Sequence, residues 1–191
     1  MKKLLLSSAK YYTEKNKEAP EEIIVFQNSC SGDQISLYLE YLIHPVRDQL
    51  ARVYEENTPP KTTFVMVNTK TSERFFSTDP TAGGNAINVT AGTLVSKDVV
   101  SPFYDFYMIS QACNKGSTVP NHYRVIFSDS KMQEGLLQEL IYNQCFNYVN
   151  WTGSIKVPGI LQYAKKCAKF NAEVLEEQLL GEDLQSKLYF I

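Results

Sequence analysis

A chain of 191 residues, 43% hydrophobic and 21% charged, has ordinary globular composition and enough apolar material for a core. Its 19 basic and 21 acidic side chains leave a formal charge of -2, so a globally basic nucleic-acid surface is excluded and only local patches remain. The four cysteines, Cys30, Cys113, Cys145 and Cys167, lie far apart without a C-x-x-C pair, and there are two histidines. That pattern argues for reduced, mostly buried thiols in a cytoplasmic or nuclear protein, against disulfides or zinc. The start, Met1-Lys2-Lys3-Leu4-Leu5-Leu6, has too short an apolar run for a signal peptide and is followed by Lys10, Lys15 and Lys17. No stretch approaches a membrane span.

In chain order, residues 2–16 read as an amphipathic helix that fades at Asn16 and Pro20. Ile23-Ile24-Val25-Phe26 is a short continuous apolar run, which predicts a strand buried on both faces. The turn Asn28-Ser29-Cys30-Ser31-Gly32 follows. Ser31 with Gln34 three residues on forms a capping-box pattern, opening a helix that Pro45 interrupts and Val46–Glu55 resumes. After Pro59-Pro60, Thr62–Val67 is a second buried strand. The Gly-, Thr- and Asn-rich stretch 77–91 reads as a loop. Strands are expected at Thr93–Val100, Phe106–Ala112 and His122–Phe127, helices over 131–148 and 160–180, and a last apolar run at Leu188-Tyr189-Phe190-Ile191. The sum is one α/β layered domain over 1–191 without an internal repeat.

Charge is segregated near the C-terminus. From Val149 to Ala172 there is no acidic residue, while Lys156, Lys165, Lys166 and Lys169 fall inside the stretch. Lys165 and Lys169 share a helical face. On this evidence a solvated helix face and a phosphate-binding patch are equally good readings.

Several segments in order carry a family resemblance. They are Phe64-Val65-Met66-Val67-Asn68-Thr69-Lys70 with Arg74-Phe75-Phe76, and Gly92-Thr93-Leu94-Val95 with Tyr104-Asp105-Phe106-Tyr107-Met108-Ile109-Ser110-Gln111. Then come Gly116-Ser117-Thr118-Val119-Pro120-Asn121-His122-Tyr123, Asn150-Trp151-Thr152-Gly153-Ser154-Ile155-Lys156-Val157-Pro158 with Gln162-Tyr163-Ala164, and the terminal Tyr189-Phe190-Ile191. Together they resemble the C-terminal part of the Piwi domain in the Piwi branch of the Argonaute family. The resemblance implies an RNase H-like Piwi lobe, a mixed sheet flanked by helices, lacking the N-terminal strands. A sheet without them has an unpaired edge.

Such a fold cleaves RNA with paired cations held by an Asp, Glu, Asp and His set. The resemblance places the first two upstream of this chain. Asn28 stands at the third position and Lys165 at the fourth. An amide is a much weaker ligand for a hard cation than a carboxylate, and an ammonium is no ligand. The site is therefore expected to be degenerate, with no catalytic metal. Asp33 is expected to offset a helix dipole, Asp105 to tie down a strand end, and His122 to be structural.

Binding without cutting is the leading expectation: a lobe that grips a single-stranded small guide RNA, and through it target RNA, in RNA silencing. The resemblance sets Lys70, Arg74, Gln111 and Tyr148 near guide phosphates or riboses, with Lys156, Gln162, Lys165 and Lys169 extending the same surface. Val119 and Phe170 depart from arginines of the other branch, and Lys169 is close enough to compensate for the second. The terminal carboxylate of Ile191 is implied to help hold a magnesium ion at the guide's 5′ phosphate. The remaining Argonaute domains are the implied protein partners, and no membrane is. Two rivals are an endoribonuclease using displaced metal ligands and a protein-interaction scaffold that no longer binds RNA.

Overall fold

The computed structural model describes residues 2–29, 34–54, 59–78, 86–101, 104–113, 115–175 and 187–190. Helix α1 runs Lys2–Asn16. Lys17 stops it with a left-handed backbone (φ 62°) and donates its N–H back to the Thr13 carbonyl at 2.8 Å, which satisfies an orphan carbonyl of the last turn. The next helical path is α2, Ile35–Tyr38, a π-helical turn at Leu39–Ile43, and α3, His44–Val53. The expected break at Pro45 is a widened turn instead. Proline lacks an N–H and its ring crowds the carbonyl four residues back, and the extra residue in the π turn relieves both conflicts. Ser31 and Asp33 lie outside the described residues. Gln34 caps α2 without a side-chain hydrogen bond.

Strand β1, Glu22–Asn28, pairs in parallel with β2, Lys61–Asn68, with Val25 opposite Phe64 and Asn28 opposite Val67. Three further strands complete a mixed five-stranded sheet in the order β1-β2-β7-β6-β5: β5 is Thr93–Val95, β6 Asp105–Ile109 and β7 Asn121–Ser128. β7 runs antiparallel to β2, with a bulge at Ile126 between the Phe64–Phe127 and Val65–Val125 pairs. Thr62–Val67 is buried as expected. The expectation of a doubly buried β1 fails: Ile23–Phe26 are only half-buried. β1 is an end strand of this sheet, so it lacks the neighbour that would cover its outer side.

The stretch expected as a loop over 77–91 contains a small antiparallel pair, β3 at Phe76–Thr78 and β4 at Ala86–Asn88. Each is three residues long and mostly exposed, too short and too polar to give a periodic signal. β5 and β6 are shorter than the expected Thr93–Val100 and Phe106–Ala112. A tight turn intervenes after β5, with Asp98 at φ 68° and Val99 N–H donating to the Lys97 carbonyl at 2.8 Å. Helix α4 is Glu134–Gln144 and α5 is Gly159–Phe170, the latter continuing into a π turn at Asn171–Leu175. Among the described residues no helix is long and apolar enough to cross a membrane.

The backbone forms two compact units. The first comprises residues 1–68, 95–107 and 122–132, the second 69–94, 108–121 and 133–191. In the first, Ile43, Val46 and Leu50 share one face of the kinked helical path by their spacing and cluster with Ala9, Tyr54 and Phe64. In the second, Leu137, Ile141, Cys145, Val157 and Leu161 are buried. The expectation of mostly buried thiols is corrected: Cys145 is buried, Cys167 half-buried and Cys113 exposed, none of them in a disulfide, and Cys30 is outside the described residues.

The entry to α5 is built on a close approach. Gly159 follows the N-cap Pro158, and a Cβ at that position would land on the Asn147 carbonyl oxygen. Backbone cannot yield as a flexible side chain would. Gly159→Ala should therefore destabilise the protein by about 3 kcal/mol, read as a lower denaturant midpoint at unchanged slope.

Candidate nucleic-acid interface

The site-bearing residues divide between the units. Asn28 closes β1 in the first unit, exposed, with Ser29 N–H donating to the Val67 carbonyl at 2.9 Å. Lys165 belongs to α5 in the second. Neither fits the two-metal chemistry of the fold. The Asn28 amide brings no negative charge, and a dication 4 Å from the Lys165 ammonium would meet roughly 8 kcal/mol of repulsion at an effective dielectric of 20. Among the described residues no group of three His, Cys, Asp or Glu side chains could hold a metal ion.

Asp105 at the start of β6 is committed elsewhere. It is buried, accepts from the Ser101 N–H at 3.0 Å and the Ser101 hydroxyl at 2.8 Å, and faces His122 Nε2 at 2.9 Å and the Arg124 guanidinium at 3.6 Å. His122 also stacks on Tyr107 with ring centroids 4.5 Å apart. Both side chains thus have the structural surroundings expected of them. Asp33, the other carboxylate considered, lies outside the described residues.

The remaining described candidates for backbone contact all sit in the second unit. Lys156 is its most constrained cation. The Lys156 carbonyl accepts the Ser110 hydroxyl at 2.7 Å and a short bond from the Asn121 amide, while its ammonium donates to the Thr69 carbonyl at 3.1 Å. Burial lowers its pKa, and the positive charges of Arg74 and Lys165 lower it further. Burial also lowers that of Lys165. Thr69, Ile155, Lys156, Val157, Gln162 and Lys165 line one cleft of about 280 Å³. The sequence-expected Lys156, Gln162 and Lys165 are therefore brought together, with Arg74 close enough to be felt. Arg74 is exposed and folds its guanidinium back onto the Thr71 and Glu73 carbonyls at 2.9 and 2.6 Å.

Tyr148 joins the same surface by hydrogen bonding. Its hydroxyl is more acidic than usual because Lys166 bonds to it, with further bonds from Asn150 and Gln162 acting the same way against a desolvation effect. The Lys166 ammonium lies 5.4 Å from the Tyr148 ring centroid. Lys166 was missed as a site residue although it lies one helical turn after Gln162, a spacing that puts both on one face of α5. Lys70 is exposed on the turn after β2. Gln111 lines a different pocket of about 230 Å³, shared with Ser110, Thr118, Asn121 and Lys156. Thr118 and Asn121 each present a buried side-chain oxygen there that has no hydrogen-bond partner among the described residues. Their signal was present in the Gly116–Tyr123 segment, but polar side chains flanking a proline look like an ordinary turn.

Lys169 stands apart. It is exposed and pairs with Glu173 at 3.8 Å, which offsets its charge and weakens the case that it compensates for Phe170. Tyr189 and Phe190 pack against α5, with Tyr189 5.6 Å from Phe170 and Phe190 6.5 Å from Tyr163 between ring centroids. Ile191 lies outside the described residues.

A mixed sheet with flanking helices in this order defines the RNase H-like α/β fold of the Argonaute C-terminal lobe. The crystal structure of Drosophila Piwi superposes with a TM-score of 0.88 at 26% identity, covering 98% of this chain and 25% of that one. Kluyveromyces polysporus Argonaute with a guide RNA superposes with a TM-score of 0.85, covering 99% of this chain and 25% of that one; at 22% identity the likeness concerns the fold. The Piwi domain family model matches residues 1–176. Piwi-like protein 1 of Gallus gallus is 33% identical over 194 residues, covering all of this chain and 22% of that protein. The chain belongs to the Piwi domain family, and it spans about a fifth of the length of the curated relatives it matches.

Asp105 offers a test of the structural assignment. Removing the buried carboxylate leaves half-buried His122 and Arg124 and the Ser101 donors without their shared acceptor, a change that costs about 2 kcal/mol. Asp105→Ala should lower the unfolding midpoint accordingly. Unchanged stability in chemical denaturation would show that its role is not structural.

Proposed function

We propose that this chain is a guide-RNA-binding lobe of a Piwi-type Argonaute acting in RNA silencing, and that it binds without cutting. The observation that carries the proposal is the pairing of Lys156 and Lys165 in the lining of one cleft, both partly withdrawn from water, with the Arg74 charge near enough to act on Lys156. Such a cluster gains from an anion that neutralises it. A nucleic-acid backbone supplies phosphates at regular intervals, and contacts of this kind provide affinity and register rather than sequence selection. The Kluyveromyces polysporus protein of the same fold was solved with a guide RNA. The ligand class is therefore a short single-stranded RNA, with target RNA paired to it and the other Argonaute domains completing the grip. A magnesium ion at the RNA 5′ phosphate is the proposed cofactor.

Affinity for a short 5′-phosphorylated RNA should fall as salt rises, with about -0.7 in log K against log salt for each phosphate neutralised. Lys156→Ala and Lys165→Ala should each flatten that slope by about the same amount. A salt-independent titration, or no binding, removes the proposal.

Cleavage is expected to be absent. The chain with magnesium should leave a guide-matched target intact, and Asn28→Asp with Lys165→His should not restore cutting, because two further carboxylates are still needed. Magnesium-dependent cleavage by the unmodified chain, detected on a labelled target, would instead favour displaced ligands.

A further inference from the structure

The acid-free stretch contains a large aromatic side chain that no phosphate contact explains. Trp151, the single tryptophan of the chain, is 56% exposed. Tryptophan is usually covered, because its apolar area is the largest of any side chain. Here it is held in place rather than left loose. Its backbone N–H donates to the Tyr148 carbonyl at 3.2 Å, and the far end of its loop is pinned where the Ile155 N–H meets the Cys145 carbonyl at 2.8 Å. The pyrrole edge of the indole rests on Gly153, where an added Cβ would come within 3.3 Å of Nε1 and 3.8 Å of Cδ1. Glycine therefore gives the ring a seat that any larger residue would disturb.

Its surroundings point to the occupant. The backbone that positions Trp151 starts at Tyr148, whose ring carries the Lys166 ammonium and whose hydroxyl takes bonds from Lys166 and Gln162. No carboxylate occurs between Val149 and Ala172. An apolar protein partner would bring no charge to match those cations. A single strand brings both parts: phosphates for the ammoniums, and a base with a π face for the indole. Stacking of this kind tolerates any base and is stronger on a ring already fixed in orientation.

We propose that Trp151 is a base-stacking platform for an unpaired nucleobase of the bound RNA, seated by Gly153 and bonded through its backbone to Tyr148, the tyrosine that carries the Lys166 ammonium. The proposal rests on the RNA-binding reading above and adds a contact to the base rather than to the backbone.

Because the chain has one tryptophan, its emission reports this contact directly. The full chain is titrated with a 5′-phosphorylated single-stranded oligoribonucleotide, following indole emission and, separately, the anisotropy of a labelled RNA. Emission should be quenched along the same curve as binding. An abasic sugar-phosphate oligomer of equal length should bind more weakly and leave emission unchanged. Trp151→Ala should weaken the intact RNA by roughly 5- to 100-fold without altering the salt slope, and should not weaken the abasic oligomer. Trp151→Phe should recover most of the loss. RNA that binds with unaltered emission and equal affinity for Trp151→Ala overturns the platform while leaving the phosphate-binding reading intact. Failure of every oligomer to bind overturns both.

Discussion

The second unit depends on the anchoring of Lys156. Its backbone carbonyl is held by the Ser110 and Asn121 side chains and its ammonium by the Thr69 carbonyl, so one residue ties the loop before α5 to the end of β6, the start of β7 and the turn after β2. A flexible lysine at a surface contributes little, because ordering its four-carbon stem offsets the Coulomb gain. Here the stem is already ordered. What remains is a cation partly withdrawn from water with Arg74 and Lys165 nearby, an arrangement that is unfavourable alone and favourable around an anion.

The first unit resolves its charges differently. Asp105 is nearly inaccessible, yet it is surrounded by the Ser101 donors, His122 and Arg124. A buried carboxylate persists where donors and cations surround it, and these occupy its oxygens. On the same sheet, the end of β1 carries the exposed Asn28, an uncharged amide. The buried acid of this unit thus serves packing. The edge strand β1 adds a second unbalanced feature, since its half-buried apolar residues have a paired neighbour on one side only.

Much was legible from the residues alone. The apolar runs at Ile23–Phe26 and Thr62–Val67 announced strands, a helix was legible over Val46–Glu55, and the ordered motifs from Phe64 to Pro158 announced the family. These are local signals, set by the two-residue and 3.6-residue periods of strands and helices and by side-chain chemistry at fixed spacing.

Tertiary structure decided what depends on neighbours distant in sequence. How far the two faces of β1 are buried depends on what packs above and below the sheet and on its place at the sheet's end, which its own sequence does not encode. Pro45 guarantees a conflict in the helix but not its resolution, which is the π turn at Leu39–Ile43, after which Ile43, Val46 and Leu50 reach the core cluster. The lysine-rich stretch could be read from its charges alone, but not that Lys156 would be held by Thr69, Ser110 and Asn121, residues 35 or more positions away. Lys169, on the same helix, was drawn off by Glu173. Charge could be counted in the sequence, but desolvation and proximity, which give the charge its effect, exist only once the chain has folded.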